Sequence, residues 1–170
     1  KESNLYKSFI GKPESEKIEF YSNSDNFWSK LWNNIDYAQD SIFLITYCMD
    51  NDFIANLTLQ KLIYALDREI PVVLMIEHLN FYPSKKLLEE FIYKGGILIK
   101  PNKLERIVSH ALNGELKKFF NRCHQKLFLV DKDLFIGSSN IAKEYSGHKY
   151  GNYSFVDLNS YIKNTPCYES

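Results

Sequence analysis

The sequence predicts an α/β fold: a mixed, largely parallel β-sheet flanked by helices on both faces. Three observations carry that prediction. Short apolar runs rich in β-branched and aromatic residues recur along the chain, stripes of about 10–15 residues at helical spacing lie between them, and cap or turn residues mark the junctions. With 170 residues the chain can bury one sizeable core. Residues 17–170 read as a single domain behind a polar lead-in at 1–16.

Each element has its own signal. Ile18 to Tyr21 (IEFY) reads as a short strand, and Ser24 and Asp25 as helix caps ahead of Phe27, Leu31 and Ile35. Ser41 to Met49 (SIFLITYCM) reads as a buried strand. Ile54, Leu57, Leu62, Ala65 and Leu66 form the stripe of a second helix, followed by the strand Pro71 to Glu77. Pro83 and Ser84 open a third helix, which Gly95 and Gly96 close before a short strand at Ile97 to Lys100. A further helix is expected near Glu115 to Phe120. Strands at Lys126 to Val130 and Leu134 to Ile136 flank Asp131-Lys132-Asp133, too polar and turn-prone to be other than a tight hairpin.

Lys+Arg and Asp+Glu are equal at 21 each, so no global field draws nucleic acid or an anionic bilayer, and any attraction must be local. Cys48, Cys123 and Cys167 are odd in number and widely spaced, which argues against a disulfide framework or an in-chain zinc site. No apolar run approaches the ~20 residues of a bilayer span. The chain starts at Lys1, so a signal, transit peptide or anchor could precede it.

The informative stretch is His124-Gln125-Lys126-Leu127-Phe128-Leu129-Val130-Asp131. Strand alternation puts His124, Lys126 and Phe128 on one face, presenting an imidazole beside an ammonium. Gly137-Ser138-Ser139-Asn140 follows, read as a small-polar turn into a helix at Ile141 whose N-terminus would suit a phosphate oxygen. Lys117, Lys118 and Arg122 add positive charge just upstream, on what is equally well a solvated helix face. A nucleophile or proton shuttle, a cation and neutral donors are what phosphoryl transfer requires. An HxK pair alone usually marks no more than a solvated edge strand, but the added Asp131 and GSSN have no place on one.

This set resembles the phospholipase D superfamily signature, HxKxxxxD followed by GSxN, standing here as HQKLFLVD and GSSN. The details are most similar to the N-terminal half of a cardiolipin synthase: Arg122 two places before His124, Phe135-Ile136-Gly137, Asn140-Ile141-Ala142 with Glu144-Tyr145, and Phe155-Val156-Asp157. The chain departs from that pattern at Ser138, where a second glycine is common, at Cys123, and in lacking the glycine usual before the third strand. The resemblance implies catalytic roles for His124, Lys126, Asp131 and Asp157. His124 would be nucleophile or general acid, and Asp157 would orient an imidazole. Asp131 is expected to brace the strand-turn geometry rather than touch substrate. Lys126, Ser138, Asn140 and Arg122 would bind phosphate. The resemblance implies neither metal nor other cofactor.

One histidine cannot serve well as both nucleophile and acid across an in-line displacement. His78, His110 and His148 lack a lysine two places on, so a second motif is expected from a homodimer partner or from missing sequence. The function expected is a phospholipid phosphatidyltransferase or phospholipase working through a phosphohistidine, membrane-associated, in the bacterial inner membrane or mitochondria. The alternatives are a homodimeric endonuclease acting on nucleic acid, disfavoured by the neutral charge, and a non-catalytic subunit. Trp28 and Trp32, four apart, are expected to be packing residues rather than lipid anchors, and His78 a loop histidine without a role.

Overall fold

A computed structural model describes residues 18–77, 83–100, 124–149 and 155–164. The strands are β1 (Ile18–Tyr21), β2 (Ile42–Thr46), β3 (Val72–Ile76), β4 (Ile97–Ile99), β5 (Leu127–Val130), β6 (Asp133–Gly137) and β7 (Asn159–Ile162). The helices are α1 (Ser24–Asp36), α2 (Phe53–Asp67) and α3 (Lys85–Tyr93). The strands form one sheet in the order β1-β7-β6-β5-β2-β3-β4.

The sheet is mixed, as expected, but less parallel than the sequence suggested. Only β2–β3 and β3–β4 pair in parallel, while the ladders joining β1, β7, β6, β5 and β2 are antiparallel. The reason is connection length. Parallel neighbours need a crossover, which α2 and α3 supply, whereas β5 and β6 are joined by a two-residue hairpin with Val130 opposite Asp133.

The helix starts are set by side-chain caps. Asn23, not Ser24 or Asp25, caps α1 by accepting the Asp25 and Asn26 N–H groups at 2.8 and 3.3 Å. Asp52 caps α2 through the Ala55 N–H at 2.9 Å. α3 ends at Gly95, whose φ of +94° is the left-handed turn that glycine tolerates best. β2 stops at Thr46, shorter than its apolar run, because the chain then bends and Met49 pairs instead with Ile141 in an isolated bridge.

α1 packs its stripe of Phe27, Trp28, Leu31, Trp32 and Ile35 onto the sheet face that carries Phe128 and Phe135. Both tryptophans are buried packing residues. Trp32 Nε1 donates to Thr58 at 3.0 Å and Trp28 Nε1 to the Tyr145 carbonyl at 2.8 Å, which ties a loop to the core. α2 packs between α1 and α3, and together they cover Leu44 and Leu74 completely. The helix expected near Glu115 lies outside the described residues. None of the described helices is long and apolar enough to cross a membrane.

Sheet direction places the site. The ends of β2 and β6 and the starts of β5 and β7 meet at one edge of the sheet, because β5 runs against β2 and β7 against β6. His124 and Lys126, just before β5, therefore lie beside Tyr47 and Cys48, just after β2. In the same way Ser138, just after β6, comes beside Asp157 and Leu158, just before β7.

Candidate active site

His124 is exposed at the mouth of the site, while Lys126 is 6% exposed. Burial of Lys126 without charge neutralisation would be costly, and the chain meets that cost by turning Nζ back on the preceding residues. Nζ donates to the His124 carbonyl at 3.0 Å and lies 2.9 Å from Nδ1 and 3.1 Å from Nε2 of the His124 ring. Imidazole and ammonium are thus in contact, as period-two spacing requires, and Phe128 continues the same face into the core. The His124 ring is also flanked by Tyr47, with ring centroids 4.7 Å apart. Partial burial, and secondarily the Lys126 charge, lower the His124 pKa from its ordinary 6.5, which favours the neutral imidazole a nucleophile needs.

The GSSN turn is held by β7. Gly137 has no room for a side chain, because a Cβ there would lie 1.8 Å from Asn159 Oδ1 and 2.9 Å from Asn159 Cα. Asn159, buried, donates from Nδ2 to Ser139 Oγ at 2.8 Å and accepts the Ser139 N–H at 3.3 Å. Ser138 Oγ donates to Asp157 Oδ1 at 2.5 Å.

The helix expected from Ile141 does not form. Ile141 is fully buried and bridges Met49, Ala142 stays extended at φ −154°, and the chain makes only a 3-10 turn at Lys143–Tyr145. The backbone donors expected for phosphate are used internally: the Ser138 N–H meets the Leu158 carbonyl at 3.4 Å, and the Ile141 N–H meets Thr46 Oγ1 at 3.4 Å.

Two buried oxygens beside this turn are left over. Asn140, 3% exposed, has no partner for Oδ1, and Asp157, 8% exposed, has none for Oδ2. Burial pushes the Tyr145 hydroxyl pKa up, and the neighbouring Asn140 side chain opposes that shift. The bonded partner of Asp157 is Ser138, and no hydrogen bond joins it to His124.

Asp131 sits apart from this group. It occupies the hairpin at the far end of β5, roughly 20 Å from His124 at ~3.3 Å per strand residue. Its carboxylate accepts the N–H groups of Gln39, Asp40 and Ser41 at 3.1, 2.8 and 3.0 Å, which staples the hairpin to the turn before β2. Arg122, Lys117, Lys118, Cys123, Cys167, His78 and His110 lie outside the described residues. His148 is exposed and lines a separate depression with Asp25 and Gly147.

Tyr47, Tyr145 and Asn159 were not found by sequence reasoning. Tyr47 fell inside the strand expected from Ser41 to Met49 and stands at a strand end only because β2 stops at Thr46. Among the described residues, the one carboxylate trio that could hold a metal is Asp50, Asp52 and Glu144, with one oxygen of each within 4.8 Å of the others. Asp52 already caps α2 and accepts the Lys143 N–H at 2.8 Å.

No family model matches the chain. It is 26% identical over 138 residues to a cardiolipin synthase of Listeria monocytogenes, covering 79% of this chain and 27% of that protein. It is 29% identical over 136 residues to cardiolipin synthase A of Wigglesworthia glossinidia brevipalpis, covering 78% and 26%. The chain thus spans about a quarter of the length of the curated relatives it matches. Among solved structures, phosphatidylserine synthase from Haemophilus influenzae Rd KW20 superposes with a TM-score of 0.64 at 16% identity, over 86% of this chain and 33% of its own. NucT from Helicobacter pylori superposes with a TM-score of 0.60 at 17% identity, over 89% of this chain and 87% of its own. At these identities the structural likeness is one of fold. Sequence and fold together bear out the resemblance to the phospholipase D superfamily and, within it, to cardiolipin synthases.

Proposed function

We propose that this chain supplies one half of a phosphodiester-processing site of phospholipase D type, acting on phospholipid as a cardiolipin-synthase-like phosphatidyltransferase or phospholipase. The observation that carries the reading is the contact between Lys126 Nζ and the His124 ring at an open strand end. A phosphate oxygen entering there takes over as the acceptor for Lys126 and frees the imidazole lone pair. A ring nitrogen of His124 then attacks phosphorus, an N–P bond forms as the P–O bond to the leaving alcohol breaks, and the leaving oxygen takes a proton from an acid on the opposite side. Water or a lipid alcohol displaces the histidine in the second step. Lys126, Asn140 and Ser138, with Arg122, hold the non-bridging oxygens, and Asp157 uses its second oxygen to orient an imidazole.

The opposing acid comes from a second HxK motif, in a homodimer partner or in sequence beyond this chain. Association with a membrane surface follows from the substrate, in the bacterial inner membrane or mitochondria. The reading is tested by trapping. Phospholipid labelled at phosphorus, incubated with the complete protein and quenched, should leave an acid-labile, base-stable adduct that His124→Asn abolishes. Turnover without any such adduct would overturn the covalent step.

One observation favours a second reading. The fold makes up nearly all of NucT, so a single copy can be a whole chain, and two copies of this one could complete a site by C2 pairing. Nucleic acid would then be the substrate. A stable dimer by light scattering that cuts single-stranded DNA would support this, and a monomer inert to DNA would sink it. A non-catalytic subunit would give neither adduct nor cleavage in the complete protein.

A further inference from the structure

The sequence predicts helices on both faces of the sheet, yet the three described helices lie on one. The other face is apolar from edge to edge. The ladders align Phe43 with Val73 and Leu129, and Ile45 with Met75 and Leu127, and carry these rows outward to Ile97 and Ile99 on β4. The same rows continue over β6, β7 and β1, where Ser160 is the one polar residue among the described strand positions. Their side chains are half-buried or exposed, with Phe20, Ile97 and Ile136 among the exposed, whereas Leu44, Leu74 and Phe128 on the opposite face are packed under the helices. A sheet face of this kind is stable in water only when another layer covers it.

One connection is long enough to supply that layer. β4 runs parallel to β2 through β3 and β5 runs against β2, so Ile99 and Leu127 lie in one row at the same edge, three strand spacings apart. That gap is about 14 Å, which about five extended residues would close. Residues 101–123 are several times longer. Leu104, Ile107, Val108, Ala111 and Leu112 recur at helical spacing, as do Leu116, Phe119 and Phe120, with Asn113-Gly114 as a turn signal between them. A connection of this length that leaves and returns at one edge has to double back, and Asn113-Gly114 stands near its midpoint. A helix of about nine residues spans about 14 Å, close to the ~16 Å of a strand such as β2. Residues 1–16 are too polar, and 165–170 too short, to cover a seven-stranded sheet.

We propose that residues 104–120 form two short amphipathic helices, turning back at Asn113-Gly114, that dock on this second sheet face and complete the core from within the chain. The occupant is a segment of the chain itself rather than a second copy. Leu112 and Phe119 then face the rows centred on Phe43 and Val73, while Arg106, His110, Lys117 and Lys118 face away from the sheet. Docking thus builds a local positive surface, a few residues before His124, on a chain of zero net charge. The cover is needed whatever reaction the site performs.

The test is photo-cross-linking of the full 170-residue chain carrying Phe43→p-benzoylphenylalanine, with the product mapped by peptide mass. A link within one chain to a peptide from residues 104–120 is the expected product. A covalent dimer would put a second copy on the face, a link to residues 1–17 or 165–170 would put another segment there, and no link would leave it in water. Each of these overturns the proposal. The phase of the helices gives a second readout. Leu112→Gln and Phe119→Ser should lower the urea midpoint as far as Leu129→Gln does, and Arg106→Ser and Lys117→Ser should leave it in place. Equal shifts from all four changes, or none from Leu112→Gln and Phe119→Ser, would show that these side chains do not lie on the sheet.

Discussion

The Tyr47 ring lies tilted against the His124 imidazole with centroids 4.7 Å apart, and the Lys126 ammonium sits 5.8 Å from the centre of the same ring. Desolvation by burial and, after it, the Lys126 charge both favour the neutral form of the histidine. Lys126→Met removes the second cause and should raise the His124 midpoint, read from its Cε1 proton by NMR. A midpoint that stays or falls would show that the lysine does not act on the ring. The sign for stability follows. Between the lowered folded value and 6.5 the unfolded chain binds more protons, so this histidine's contribution to stability falls as pH drops through that window and rises again with pH.

Asp131 completes the motif yet works on the fold. Its carboxylate gathers three N–H groups of the turn before β2, and its φ of +54° is a conformation that Asp and Asn tolerate. Asp131→Ala should cost about 2 kcal/mol in chemical denaturation. Asp131→Asn should recover part of that loss, because Oδ1 alone takes the Asp40 and Ser41 donors. In the complete protein, turnover per folded molecule should survive both changes. Selective loss of turnover at full stability would instead place Asp131 in the chemistry.

What could be read in the sequence divides along physical lines. His124, Lys126 and the GSSN turn were legible because strand alternation and a fixed spacing put them together locally. The strands and helices through Ile97 were legible because each buries a periodic stripe. The hairpin after Val130 was legible from its polar turn, but the direction of the other antiparallel ladders was not, since β2 with β5, β6 with β7 and β1 with β7 join segments far apart in sequence. The helix expected at Ile141 failed because Ile141 is claimed by the core and bridges Met49, a contact 92 residues distant in sequence. Tyr47 and Asn159 reach the site only through long-range pairing, which no local pattern announces.

Gly137 makes that long-range pairing possible. A methyl group there would collide with the side chain of Asn159 and also with its Cα, which cannot swing aside. Gly137→Ala should destabilise the protein by about 1–3 kcal/mol, and should loosen the turn that presents Ser138 and Asn140. Adding Asn159→Ala relieves the side-chain clash but not the backbone one, so rescue should be partial. A neutral Gly137→Ala in denaturant unfolding would mean that β6 and β7 separate more readily than their register implies.

Ser138 and Asp157 should act as a unit. The serine gives its hydroxyl proton to a carboxylate that is 8% exposed and has no partner for its other oxygen. Ser138→Ala leaves that buried charge without its bond, and should cost about 1–3 kcal/mol of stability. Asp157→Asn alone keeps an acceptor for the hydroxyl and should cost less. A double-mutant cycle on the pair should then show coupling above about 0.5 kcal/mol, the bound within which independent sites add. If the two changes add within that bound, the short contact contributes nothing of its own. Asp157 would then owe its position to β7, and its unpartnered oxygen would be fixed by the backbone instead of by Ser138.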